Sequence, residues 1–512
     1  MSSNQKLELT RIWKNKQYKL EPRVLVENPE LSYGDPKSEN MLIHGDNLLA
    51  LKALEQEYTG KVKCIYIDPP YNTWNAFEYY DDGVEHSIRL SLIYERLKLL
   101  NNLLSDDGVM RVTLDDKEAH YFKVIADEVF WRKNFVATIP WKSRSSISND
   151  LTISPNHNFH FLYAKNFDTL FKNRKSFRLK KEYTWYKNPD NDPRWDYKFT
   201  PVDWPWWAKK WNPFYEFLWV EWYRRYSQKT MQELYDDWRI VKRWKSLAKK
   251  SYLSDALNSG WKTPTTWWDD CETATHAKKE VIKLYWRENM FDTPKPEKLM
   301  EKIIYLSTDE WDLVLDSFLW SWTTTAVAHK MWRKWIWVEL GDHAYTHCKL
   351  RMDKVIDWTD GLKLSEELWW EWWGWYKFYE LWPSLLARDK YGNYVINPAV
   401  NGLLLIQALC KVENFTYRAF DGWFKHGYST EKDFIHVTTR HITQDIIEDI
   451  QETHLKPWET LLIMCKTFGP DLDLPDHIQV KKIPLEVMDK CEYGDDINYS
   501  LPVLSDNEES ND

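Results

Sequence analysis

The stretch Cys64-Ile65-Tyr66-Ile67-Asp68-Pro69-Pro70-Tyr71-Asn72-Thr73 limits what this chain can fold into more than any other. Residues 62–67 are short, largely apolar and β-branched at Val62, Ile65 and Ile67. That is the pattern of a strand buried on both faces of a parallel sheet. Asp68 ends the run, and neither following proline can continue a ladder, so the chain must leave the sheet there. Open α/β sheets bind ligands just beyond the carboxyl ends of their strands. Asp68 and Tyr71 are therefore expected where chemistry is done.

The surrounding pattern alternates. Strands are expected over 41–44, 62–67, 108–114 and 135–141, with helices over 48–58, 86–104 and 116–130. Residues 41–141 thus read as one half of a doubly wound, mostly parallel α/β sheet. Residues 142–290 break the pattern; they are basic, aromatic and rich in turns. Alternation resumes over 291–358, with helices at 295–306, 323–330 and 342–355 and strands at 313–318 and 334–340. The expectation is one sheet built from two sequence blocks, with a module inserted between them. Residues 1–40 read as an extended arm and 359–383 as a loop. Residues 384–503 read as a further α/β appendage with strands near 434–438 and 460–465. The acidic tail 504–512 is expected to be disordered.

Charge singles out the insert. The net charge is −9, yet residues 142–260 hold 23 Lys and Arg against 13 Asp and Glu, a local balance of +10 that leaves −19 for the rest. A basic module in an acidic chain is the electrostatic footprint of a polyanion-binding unit. The six cysteines lie far apart with no C-x-x-C pair, which points to a reduced, cytoplasmic protein with no disulfide framework and no metal site. No apolar run reaches the length of a membrane span, and the polar start is no signal peptide.

A second constellation is Leu313-Val314-Leu315-Asp316-Ser317-Phe318-Leu319-Trp320-Ser321-Trp322-Thr323-Thr324. It reads as a buried strand, an acid, a tight loop and a helix start, the arrangement that holds a nucleotide-like cofactor. Glu339 ends the next strand about twenty residues on, where an acid accepts hydrogen bonds from ribose hydroxyls. With His44-Gly45-Asp46-Asn47-Leu48, Glu85-His86-Ser87, residues 115–120 and Thr293-Pro294-Lys295-Pro296-Glu297, these stretches resemble the amino-methyltransferases of DNA. The order, catalytic motif before cofactor loop, resembles the modification subunits of type III restriction-modification systems, from about Ile12 to Leu501.

The resemblance implies a Rossmann-like methyltransferase with an inserted target-recognition domain. It implies S-adenosylmethionine as methyl donor, adenine N6 in double-stranded DNA as acceptor, a homodimer, and a separate restriction partner for any cleavage. Asp68, Pro69, Pro70 and Tyr71 would be catalytic. Asp46, Thr293, Pro294, Lys295, Pro296, Asp316, Phe318, Trp320, Ser321, Trp322, Thr323 and Glu339 would hold the donor, although Asp46 reads equally well as a helix cap. An acid at position 68 favours adenine over cytosine N4. The rival readings are a cytosine-N4 enzyme and a catalytically silent DNA-binding subunit.

One anomaly feeds the silent reading. The chain has 33 Trp and 15 Gly, where a glycine share of ~7% predicts roughly 36. Tryptophan stands where turn glycines belong, as at Trp238, Trp311, Trp332 and Trp458, and at both glycine positions of the family's cofactor loop, Trp320 and Trp322. Either the pocket is plugged, or codons read as glycine in the source have been written as tryptophan. Trp141 and Trp335 sit well on strands and read as true tryptophans.

Overall fold

The computed structural model describes residues 9–12, 14, 18–35, 37–69, 76–77, 80–81, 86–147, 152–180, 186–194, 196–205, 212–243, 246–258, 261–285, 294–318, 322–368, 374–418, 424–483, 488 and 490–491. They form two compact units, one of residues 1–173 with 266–512 and the other of residues 174–265.

The large unit is organised on a nine-stranded sheet. Its strands are β1 (Leu25–Glu27), β2 (Met41–His44), β3 (Val62–Ile67), β4 (Leu104–Leu114), β5 (Phe135–Lys142), β6 (His157–Ala164), β7 (Leu313–Asp316), β8 (Lys334–Glu339) and β9 (Lys377–Leu381). The order across the sheet is β1-β9-β2-β8-β7-β3-β4-β6-β5. The run β9-β2-β8-β7-β3-β4 is parallel throughout; β1 and β6 pair antiparallel to their neighbours. Helices connect the strands: α1 (Asn47–Tyr58), α2 (His86–Leu103), α3 (Asp116–Phe130), α4 (Ala274–Tyr285), α5 (Glu297–Ser307), α6 (Thr323–Lys330) and α7 (Lys349–Ile356).

Side chains of β3 alternate between two buried faces, as the apolar run predicts. Ile65 and Ile67 share a core with Leu51 of α1, Leu97 and Leu100 of α2, and Ile125 of α3. Cys64 and Tyr66 turn to the other face. There Arg111 Nε donates to Ser307 Oγ of α5 at 2.9 Å, and the chain Tyr66–Thr113–His160 is linked at 2.8 Å per step. His160 is fully buried, and burial lowers it well below its ordinary value, so it stays neutral.

From the adjacent pair β7 and β3 the chain departs in opposite directions. α6 leads from β7 to β8, and α2 leads from β3 to β4. That is a topological switch point, where the strand ends leave a crevice.

Four expectations change. The compact insert is 174–265, narrower than 142–290, because β6 pairs with β4 over six residues and with β5. An aromatic segment without helical period looked like insert, but its backbone groups complete the large sheet. Residues 359–383 are no simple loop; they contain a short helix, Lys363–Glu367, and β9, which pairs parallel with β2. The arm contributes β1, paired with β9 at the sheet edge. The helix expected over 342–355 opens with a wider turn, Ala344–Cys348, before α7.

The small unit has a three-stranded antiparallel sheet of Tyr197–Pro201, Ser246–Tyr252 and Ile240–Arg243, and a hairpin of Phe214–Phe217 and Val220–Tyr223. Its core is Val202, Phe217, Met231, Ile240 and Leu247. Within the large unit, residues 416–482 form a five-stranded sheet around the parallel pair Asp433–Ile442 and Thr460–Phe468, longer strands than expected. The acidic tail 504–512 lies outside the described residues. No described helix is long and apolar enough to cross a membrane.

Candidate active site

Four parallel strands deliver an acid or its neighbour to one edge of the sheet. Asp46 follows β2, Glu339 ends β8, Asp316 ends β7 and Asp68 follows β3. All four are buried. They meet because β2, β8, β7 and β3 are consecutive and parallel, so their carboxyl ends lie side by side.

Asp68 forms an ion pair with Lys295 Nζ, both side chains being nearly inaccessible. Lys295 is held in turn by its own backbone, since its carbonyl accepts from Thr323 Oγ1 at 2.7 Å. Pro294, Lys295 and Pro296 lead into α5, with Pro296 as its cap residue. This strand-end acid, the Pro-Lys-Pro segment and the start of α6 are thereby one connected group. Lys295, which the resemblance gives to the donor, also pairs with the strand-end acid.

Asp316 receives Phe318 N–H at 3.0 Å. Burial, and then the nearby charge of Asp68, pushes its carboxyl well above the ordinary value. Glu339 behaves oppositely. Burial alone would raise it, but His343 at 3.1 Å and the N–H groups of Leu340 and Gly341 outweigh that and hold it below its ordinary value. Those three contacts all fall on Oε1. Its second oxygen, Oε2, is buried and has no hydrogen-bond partner among the described residues, so it is free to accept from a ligand hydroxyl.

Asp46 caps α1, accepting from Leu48 and Leu49 N–H at 2.9 and 3.1 Å. Its other oxygen takes Arg96 Nη2 at 3.2 Å. Arg96 also holds Asn47, whose Nδ2 donates to the Ser317 carbonyl at 2.7 Å. Asn47 and Arg96 thus tie the loop after β7 to α1 and α2. Sequence reading quoted Asn47 within its motif without a role and missed Arg96, whose burial to 1% is invisible in a sequence. Pro70, Tyr71, Thr293, Trp320 and Ser321 lie outside the described residues.

Beneath the start of α6 is a sealed charge network. Lys330 pairs with Glu297 at 2.7 Å and with Asp360 at 2.6 Å, and Arg351 pairs with Glu297 at 2.9 Å and reaches Thr323 Oγ1 at 3.3 Å. All four charged residues are buried. The network ties the two segments 294–297 and 322–323 together through Glu297 and Thr323.

Trp322 departs from that plan. It adopts φ 53°, ψ 15°, and is buried to 1%. Its indole lies 5.6 Å from the ring of His343, the partner of Glu339, 5.4 Å from His347 and 6.1 Å from Tyr285. The side chain fills the space between the start of α6 and the segment 343–348. The vacant oxygen of Glu339 fits a ribose hydroxyl; an indole beside it does not fit a bound nucleoside.

A doubly wound sheet with acids at adjacent strand ends and a helix start at the switch point is an architecture that can hold a nucleotide-like ligand. The DNA methylase family matches residues 62–349, more than half the chain, and the chain belongs to that family. It is 30% identical over 418 residues to the probable type III restriction-modification enzyme HindVI Mod subunit of Haemophilus influenzae, covering 69% of this chain and 55% of that one. It is 30% identical over 337 residues to the type III StyLTI Mod subunit of Salmonella typhimurium, covering 56% and 49%. The chain spans about half the length of the curated relatives it matches. Among solved structures, a DNA modification methylase of Thermus thermophilus overlaps 63% of this chain and 96% of its own at 14% identity and a TM-score of 0.34.

Proposed function

We propose that this chain transfers a methyl group from S-adenosylmethionine to N6 of adenine in double-stranded DNA. It acts in the cytoplasm as the homodimeric modification subunit of a type III restriction-modification system, with cleavage left to a separate partner. The observation that carries this reading is Asp68, buried at the end of β3 beside Asp316 at the switch point. Family membership and the Mod relatives support the acceptor and the system.

An amino group inside a duplex is hidden, so the base must be turned out to reach Asp68. The Asp68 carboxylate now takes its hydrogen bonds from Lys295. The amino group of the base would take that place, giving one N–H to Asp68 and one to the Pro69 carbonyl, so that its nitrogen lone pair stays available for the methyl and Asp68 is placed to take the proton the nitrogen then sheds. Tyr71 offers a ring for the base to stack on. The donor supplies a methyl on a sulfonium, and Glu339, the 294–297 segment and the start of α6 serve to place it. Positioning supplies much of the rate. The basic unit 174–265, with 20 Lys and Arg against 11 Asp and Glu, supplies target recognition.

The test is Asp68→Ala. Made in the Trp322→Gly form, whose site is clear of the indole, the change is expected to abolish labelled-methyl incorporation into DNA while thermal unfolding and donor binding stay near the Trp322→Gly values, since the carboxylate acts on the acceptor. Incorporation that survives the change makes Asp68 a strand-end acid and nothing more. Nucleoside analysis of the product separates N6-methyladenine from N4-methylcytosine. The chain as written, with the indole of Trp322 in place, serves as the control without donor binding.

A further inference from the structure

Ten described non-glycine residues have positive φ, and seven of them are tryptophan: Trp131, Trp219, Trp238, Trp311, Trp322, Trp332 and Trp358. A bulky residue at positive φ is a steric outlier. A strained residue persists where its side chain gives something in return. Six of these seven are exposed, from 36% at Trp332 to 88% at Trp219, so most of these indoles gain little burial in return for the strained backbone, the partly covered pair Trp311 and Trp332 gaining the most.

The backbone motifs at these positions are those that ask for glycine. After the helix Gln228–Asp236, Arg239 N–H bonds the Leu234 carbonyl and Trp238 N–H bonds the Tyr235 carbonyl. After α6, Arg333 bonds Ala328 and Trp332 bonds His329; after α7, Thr359 bonds Lys354 and Trp358 bonds Val355. Each is a Schellman cap with tryptophan at the left-handed residue. A fourth cap of the same pattern follows Gly402–Val412, and there the residue is Asn414, the usual alternative to glycine. Trp219 is the second residue of a two-residue hairpin whose strands close at Phe217 and Val220, with both loop residues at positive φ. That turn takes glycine second. Trp131 sits at φ 66°, ψ 129°, a region that excludes side chains more firmly still.

Other tryptophans behave in the opposite way. Trp141 and Trp335 lie on strands, buried to 1%, with their indole N–H groups bonded to Glu272 O and His329 Nδ1. Trp268 is equally buried and exchanges backbone bonds with Pro140 and Lys142. The chain therefore holds two populations under one residue type. Trp458 is exposed but not left-handed, so its backbone asks for nothing.

We propose that the seven left-handed positions are glycine in the working protein, encoded by UGA that the source cell reads as glycine and the standard code writes as tryptophan. The consequence at position 322 rests on the methyltransferase reading above. Glycine there removes the indole from beside the Glu339–His343 pair and lets loop backbone approach a donor, which the indole blocks.

The coding DNA decides first: TGA at the seven positions and TGG at Trp141, Trp268 and Trp335 are expected, and peptide masses from the protein made in its own cells should show glycine. TGG at the seven overturns the proposal. Independently, Trp238→Gly, Trp332→Gly and Trp358→Gly should each raise the thermal unfolding midpoint of the chain as written by a few degrees. A lowered midpoint at all three overturns it. Calorimetric titration with S-adenosylmethionine should give no measurable binding to the chain as written and binding to Trp322→Gly. If codons and midpoints follow the proposal while Trp322→Gly still fails to bind, the glycine assignment stands and the donor reading falls.

Discussion

Arginine and lysine do different work in the two compact units. In the large unit Lys330 and Arg351 are sealed with Glu297 and Asp360 beneath the start of α6. In the small unit Arg225 and Arg243 are exposed and lie over the rings of Trp204 and Phe199, at 4.7 and 4.4 Å. Neighbours in sequence can fall on opposite sides of this divide. Arg224, beside Arg225, is wholly buried and paired with Asp203. A count of charges found the basic module, but burial alone tells a structural cation from one free to meet phosphate.

The comparison can be broken at its sealed end first. Lys330→Met leaves Glu297 and Asp360 without their shared partner, and should cost about 3–5 kcal/mol of stability, read as a lowered denaturant midpoint. A change within error would mean the network is solvated and does not position the loop. Arg224→Ala should unsettle the small unit for the same reason, with a loss of similar order confined to residues 174–265 and read by amide exchange.

A pair of aspartates sharpens the contrast through pH. Asp316 is raised by burial, so the folded large unit keeps a proton that the unfolded chain has released. Its contribution is present below the ordinary aspartate value of 3.8 and is lost as pH rises through the higher folded value. In the small unit, burial would also raise Asp192, but Lys250 at 2.7 Å and Tyr252 Oη at 2.6 Å outweigh it and hold it well below 3.8. Its contribution is present above 3.8 and lost as pH falls. At neutral pH Asp316→Asn should therefore stabilise the protein and Asp192→Asn destabilise it, as thermal midpoints will show. Equal signs would remove the contrast.

The smallest effects belong to the exposed cations. Arg225→Glu and Arg243→Glu should change stability by no more than about 0.5 kcal/mol, yet weaken DNA binding and reduce its salt slope by about one per lost phosphate contact. An unchanged slope would place the DNA elsewhere.

Much of the large sheet was legible. The helices over 116–130 and 323–330 and the strand over 41–44 fall where the pattern put them, because their apolar period, caps and flanking acids are local. β1 and β9 were not legible. Each is a short strand of mixed polarity with only partly buried side chains beside one buried residue, Phe378, and it exists because an edge of the sheet was there to pair with. At the candidate site, the positions of Asp68, Asp316 and Glu339 at strand ends were legible from the apolar runs before them. The Lys295 contact was not, since 227 residues separate the partners.

By itself, then, the sequence determined which segments alternate, which acids end strands and where tryptophan stands in place of glycine, because each of these is a property of a few neighbouring residues. Tertiary structure alone decided that four strand ends lie side by side, that Asp46 caps a helix, and which arginines are sealed. It also separated the tryptophans at left-handed backbone from those, such as Trp141, Trp268 and Trp335, whose backbone is extended. Those outcomes depend on burial and on backbone angles set by distant segments, and both come into being only when the chain packs.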